Sequence, residues 1–152
     1  MSNIKPSAAG DRMIQEIVDD CVLTRTRVIS RVLTGIYDDA YRPFGVTSSQ
    51  LILLTIICKM KQASRAAIAR YNHQERSTMT RNLQIMLTEG WIEEVAHDGK
   101  GRARPIGVTA KGLQLLHDTR PAWRAAQKQA TAVLGKSGAA AIMEIGNVMM
   151  TP

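Results

Sequence analysis

The sequence predicts a mainly α fold with a minor β component, built as one domain of 152 residues. Three observations predict it. Apolar residues recur at helical spacing from Asp11 to Tyr41. The stretch LILLTIIC at 51–58 is apolar on nearly every side, as the central helix of a core is. Strand-like alternation is confined to a short region between Trp91 and Val108.

Residues 1–10, MSNIKPSAAG, read as a flexible tail. From Asp11 onward, Ile14, Val18, Val22, Ile29, Leu33, Ile36 and Ala40 fall at intervals of three, four or seven, one stripe of a long helix. Such a helix is about 45 Å long. A domain of this size seldom buries it alone, so part of it is expected to pack on a second chain. Arg42-Pro43-Phe44-Gly45 breaks it. Thr47 and Gln50 then form a capping box, with Val46 and Leu51 placed as a hydrophobic staple, and a second helix runs to about Met60. Cys58, inside the apolar run, is expected in the core. Ser64 caps a short third helix, RAAIARY. Asn72-His73-Gln74 is a turn, in which Asn72 is the residue suited to a left-handed conformation. A fourth helix spans Arg76 to Glu89 and stops at Gly90. Trp91–Val95 and Ile106–Val108 form a hairpin around the polar loop HDGKGRARP. Thr109 caps a fifth helix, Ala110 to about Leu134, with Pro121 a candidate kink; GKSG breaks it, and Ala139–Met150 is a last helix.

Charge narrows the function. Lys and Arg number 20 against 13 Asp and Glu, a net charge of +7, which suits an anionic partner. The excess sits mid-chain. Lys59, Lys61, Arg65, Arg70, Arg76 and Arg81 face one acid, Glu75. Only six aromatics are present, too few for a platform that stacks single-stranded bases. Two cysteines, Cys21 and Cys58, make no disulfide framework and fit a reducing compartment. With no apolar leader in the first ten residues and no apolar run long enough for a bilayer, the expectation is a cytoplasmic protein without a membrane partner. His73, His97 and His117 stand apart, without ligand spacing, so no metal and no cofactor are expected. Nucleophile elbow, phosphate-binding glycine loop and paired carboxylates are missing from the sequence, which argues against an enzyme.

The stretch ERSTMTRNLQIMLTEGWIEE at 75–94 carries the most information. On a helical wheel Met79, Asn82, Leu83, Met86 and Leu87 share one side. Ser77, Arg81, Gln84 and Thr88 lie opposite, with Arg76 and Thr78 nearby and Ile85 at the edge. One face is core. The other bears guanidinium, hydroxyl and carboxamide groups, which contact phosphate oxygens and base edges. Arg81 is suited to guanine and Gln84 to adenine. The free N–H groups at Ser77 and Thr78 would attract phosphate. The preceding short helix and turn complete a helix-turn-helix. The following hairpin, with Lys100, Arg102 and Arg104 in its loop, is a cationic wing.

These residues resemble the MarR family of bacterial regulators, whose recognition region has the form D-R-S-T-x-T-R-N-L followed by E-x-x-G-L/W-I/V. RARPIGVTAKG resembles the family's wing and R-x-x-x-L-T-x-x-G segment. The likeness spans roughly 11–150. It implies a winged helix-turn-helix, with a DNA-binding lobe at 47–109 and long N- and C-terminal helices, 11–46 and 110–152, forming a dimer platform. It also implies a homodimer on double-stranded DNA with a pseudo-palindromic operator, repression as the usual outcome, and release by a small aromatic or phenolic acid. The DNA-contacting residues would be Ser64, Arg65, Arg76, Ser77, Thr78, Thr80, Arg81, Gln84, Lys100, Arg102 and Arg104. Arg27, Arg31, Tyr37 and Trp123 would line the effector cleft. Three departures stand out: Glu75 replaces the usual Asp, His73 takes the usual glycine position in the turn, and the wing acid, Asp98, lies further from Arg102. Three alternatives stay open beside this reading. One is an oxidant sensor of the same fold using Cys21, whose reactivity Asp19 and Asp20 would oppose and Arg25 would favour. Another is an architectural DNA binder without sequence preference. The third is a winged-helix module that binds protein.

Overall fold

A computed structural model describes residues 8–96 and 104–150. The chain divides into two compact units, Met1–Gly35 and Ile36–Pro152. The elements follow the expected order with two differences. The N-terminal helix is two segments, α1 (Ala8–Asp20) and α2 (Val22–Tyr41), and it begins inside the stretch read as a tail. A short strand, β1 (Gln62–Ala63), was not expected. The last two helices lie, as expected, on either side of a break inside GKSG, at Gly135, and are labelled together as α6 (Ala110–Met149).

In the first unit the joint at Cys21 is held by hydrogen bonds from Cys21 N to Ile17 O (3.2 Å) and from Arg25 N to Cys21 O (3.3 Å). The Arg25 guanidinium folds back and donates to the Val18 carbonyl at 2.6 Å. Thr26 donates its hydroxyl to the carbonyls of Val22 and Leu23, a back-bond that bends helices. The helical repeat therefore runs through the joint, with side chains serving carbonyls there. Most apolar side chains of this unit, Ile14, Ile17, Val18, Val22 and Leu23 among them, are exposed.

The second unit is built around α3 (Ser48–Met60). A 3-10 turn, η1 (Arg42–Phe44), ends at Gly45 with φ +68°, the left-handed value that favours glycine. Thr47 and Gln50 form the expected capping box. Asp38 adds an acceptor for Ser48 N at 2.7 Å, so the start of α3 is served by an acid ten residues upstream as well. Leu53, Leu54 and Ile57 of α3 are fully buried. They pack with α4 (Arg65–Tyr71), α5 (Arg76–Thr88), α6, β1 and β3 (Ile106–Val108). Cys58 is the correction here: it is exposed, because the single outward-facing line of α3 runs through Ile52, Thr55 and Cys58.

The sheet is antiparallel with order β1-β3-β2, where β2 is Ile92–Glu94. Ala63 pairs with Ile106, and Ile92 with Val108. Helix α5 ends in a double-bonded glycine cap. Trp91 N reaches Met86 O at 3.0 Å, Gly90 N reaches Leu87 O at 3.0 Å, and Gly90 has φ +70°. Thr109 joins this corner to α6. Its N–H bonds to Trp91 O (3.1 Å), its hydroxyl donates to Gly90 O (2.7 Å) and accepts from Gly112 N (3.1 Å). A Cβ at Gly112 would lie 2.1 Å from Trp91 O, so only glycine fits. Pro121 sits within α6, and the non-helical backbone of this element is at Gly135, with φ +71° and ψ +163°. The GKSG break is thus one residue wide, and Lys136, Ser137 and Gly138 already belong to the helix.

Candidate nucleic-acid interface

The site grows from the turn between α4 and α5. Ser64 caps α4, its hydroxyl accepting from Ala67 N at 3.2 Å. The left-handed residue of the turn is His73 (φ +46°), not Asn72, which has φ −91°. The Asn72 amide donates to the Gln74 side chain at 3.0 Å. The His73 ring is tied to the far end of α6 through the Met149 carbonyl, 2.9 Å away.

Glu75 caps α5. Its carboxylate accepts from Ser77 N (3.0 Å), Thr78 N (3.1 Å) and the Ser77 hydroxyl. The Ser77 hydroxyl first, then the Ser77 and Thr78 amides, hold the Glu75 carboxyl below its usual range. This corrects one expectation: the N–H groups of Ser77 and Thr78 are taken by Glu75 and do not point free at a phosphate. The longer Glu side chain serves in the place where an Asp was expected.

Beyond the cap, α5 divides by face as its sequence requires. Met79, Leu83 and Met86 are at most 1% exposed. Arg76, Ser77, Thr78, Thr80, Arg81, Gln84 and Thr88 are exposed. Thr80 returns its hydroxyl to Arg76 O (2.8 Å) and Thr88 to Gln84 O (3.0 Å), which leaves their lone pairs outward. Among the described residues no hydrogen bond or ion pair engages the side chains of Arg76, Arg81 or Gln84. These three border an open concavity of about 850 Å³ together with Glu75, Ser77, Thr80 and Ile85. A row of donors with no partner among the described residues, bordering an open concavity, can receive phosphates and base edges.

Arg65 is brought to a different partner. Its guanidinium binds Glu94 of β2 at 2.6 Å, with both side chains partly exposed. The Arg65 hydrogen bond, the Arg65 charge and the Arg104 charge together hold the Glu94 carboxyl low. Arg65 therefore ties α4 to the sheet, and the charge of Arg104 adds to the hold on Glu94. Sequence reading missed Glu94 because Arg65 and Glu94 lie 29 positions apart. Arg104 is exposed two residues before the returning strand. Lys100, Arg102 and Asp98 fall outside the described residues.

The other candidates disperse. Arg27 and Arg31 lie in the first unit, on the exposed face of α2, where they and Thr26 and Ser30 line a shallow concavity of about 390 Å³. Tyr37 and Trp123 lie in the second. The Tyr37 hydroxyl donates to Gln127 of α6, so it stitches α2 to α6. Trp123 is 45% exposed. Cys21 is half-buried. Its thiol is shifted down, first by the Thr24 hydroxyl, then by the Thr24 and Leu23 amides and the Arg25 charge; Asp19 and Asp20 are not among the causes. Among the described residues no three His, Cys, Asp or Glu side chains cluster as a metal site requires, and no single helix is long and apolar enough to cross a membrane.

The sequence pattern of the MarR family matches residues 44–103, which hold α3, the helix-turn-helix and the first wing strand. The solved structure of the Mycobacterium tuberculosis transcriptional regulator MosR is 33% identical, with TM-score 0.70, over 86% of this chain and 96% of that one. MosR in complex with DNA gives 32% identity and TM-score 0.72, over 86% and 94%. A mutant MarR of E. coli complexed with operator DNA, at 12% identity, has TM-score 0.77 over 90% and 98%, a likeness of fold. Among curated proteins no sequence matches.

Proposed function

The chain belongs to the MarR family of transcriptional regulators, and from that premise we propose that it is a sequence-specific DNA-binding regulator acting as a homodimer in the cytoplasm. One observation carries the reading: α5 buries Met79, Leu83 and Met86 and presents Arg76, Arg81 and Gln84, whose side chains have no partner among the described residues. The MosR complex with DNA supports it. In this proposal 47–109 is the DNA-binding lobe, and 11–46 and 110–152 supply the dimer contacts. Two copies of α5 enter successive major grooves of a pseudo-palindromic operator, about 34 Å apart. Exposed Ile14, Ile17, Val18, Val22 and Leu23 of the first unit, and Ile142, Met143, Ile145 and Val148 of α6, supply apolar surface for a second chain. The regulator is a repressor, released when a small aromatic or phenolic acid binds one dimer geometry better than the other. Selection of bound sequences from random DNA tests the core of the proposal. A short palindrome should emerge, with a large preference over scrambled DNA. Affinity that is indifferent to sequence and falls steeply with salt would replace the regulator with an architectural binder.

The lowered Cys21 thiol favours a second reading of the signal, oxidation at Cys21. Peroxide should then release DNA from the native chain and not from Cys21→Ser, whereas an aromatic acid should act on both alike.

A further inference from the structure

Ile85 breaks the division of α5 into an apolar face and a polar one. It is 40% exposed, while Met86 beside it is fully buried. Arg81, one turn before it, and Gln84, next to it, are exposed as well. Ile85 borders the same open concavity as these two, and among the described residues lining that space it is the apolar one. The rotational setting of α5 is fixed by Met79, Leu83 and Met86 in the core, so Ile85 cannot turn inward without drawing a core side chain out. Isoleucine in a helix also keeps one strongly preferred χ1 rotamer, so its methyl groups stand where the helix puts them.

We propose that Ile85 reads a thymine methyl group in the major groove and so sets part of the operator sequence. The inference rests on the reading of α5 as a recognition helix. In that groove adenine, guanine and cytosine present hydrogen-bonding atoms, and thymine adds a carbon, its C5 methyl group. An isoleucine set against a polar edge strips its water and returns no hydrogen bond, which costs free energy. Set against the methyl group, it buries apolar surface on both sides. Ile85 therefore selects thymine by attraction and rejects the other bases by desolvation. Its place along the helix locates the base. The four residues from Arg81 to Ile85 span about 6 Å of helix, roughly two base steps of about 3.4 Å, so the thymine lies within about two base pairs of the pair that Arg81 reads. Gln84 is suited to adenine, and the thymine paired with that adenine is the first candidate.

Uracil tests this without a change of hydrogen bonding, because it is thymine lacking the C5 methyl group. Selection from random DNA supplies the site. Each thymine of the half-site is then replaced in turn by deoxyuridine, at both symmetric positions, and mobility shift measures the affinity of the native chain, Ile85→Ala and Ile85→Val. One replacement should weaken the native chain about threefold to fivefold per half-site, the worth of one buried methyl group. Ile85→Ala should bind the thymine site more weakly and be indifferent to that same replacement. Ile85→Val should keep most of the sensitivity. Ile85→Ala should also keep the native preference at the other positions of the site, which shows that it is folded and docks as the native chain does. A native chain indifferent to every uracil overturns the thymine contact and leaves the regulator standing. So does an alanine variant that stays as sensitive as the native chain, or one that loses preference at every position alike. A selection from which no preferred sequence emerges overturns the regulator, and the inference with it.

Discussion

Arg81 and Arg76 sit on the same exposed face of α5 but at different depths along it, and they should fail differently when removed. Arg81 is one turn further in, where side chains reach base edges. Arg81→Ala should lose about 5- to 150-fold of operator preference, corresponding to ~1–3 kcal/mol, while the chain stays folded. Mobility shift on operator and scrambled DNA measures it, and undiminished selectivity would remove Arg81 from the reading. Arg76→Ala, at the helix start, should weaken both sequences alike and flatten the salt dependence by about one charge. Glu75 titrates from the other side. Its folded carboxyl is held below the unfolded value, so the stabilisation is complete above about pH 4.3 and fades as pH falls through the lower, folded value. Glu94 shares that sign through Arg65. Glu75→Gln should therefore lower the thermal midpoint at neutral pH and bring the two proteins together in acid. A constant difference from pH 7 to pH 3 would mean that charge has no part in the cap.

At the level of elements, what was legible depended on whether the cause was local. The Thr47–Gln50 box, the Ser64 and Thr109 caps and the Gly90 stop lie within a few residues of what they control, and each occurs where the sequence put it. The two faces of α5 were legible for the same reason, since side-chain direction follows from a 3.6 period. Non-local causes were not readable. Strand β1 exists because Ala63 meets Ile106 from the far side of the sheet. Glu94 matters because the fold brings Arg65 to it. Cys58 was misplaced because an almost wholly apolar helix gives no clue to its one outward line. Gly112 shows how a local motif can have a distant reason: nothing near it in sequence demands glycine, yet the Trp91 carbonyl occupies the place of its Cβ. Gly112→Ala should cost ~1–3 kcal/mol or more, because backbone must move to admit the methyl group. A chemical melt unchanged from the native chain would show that the corner between β2 and α6 yields freely.

The molecule as a whole has more apolar surface than one chain can cover. Ile14, Ile17, Val18, Val22 and Leu23 are exposed in the first unit, and Ile142, Met143, Ile145, Val148 and Met149 along the last turns of α6, from 37% to 74%. Residues scattered singly on a surface need no explanation, but runs of this length on three helices do. If a second copy covers them, association is linked to folding, and the midpoint of thermal unfolding must depend on protein concentration. Each tenfold increase in chain adds about 1.4 kcal/mol to the dimer and should raise the midpoint on the order of one to several degrees. Ile145→Asp places a charge in the exposed apolar run of α6 and so tests the platform. It should lower the midpoint most at low concentration and weaken DNA binding in step, because a single recognition helix holds only half of a palindrome. A midpoint independent of concentration in the native chain would mean that these apolar runs face something other than a second copy.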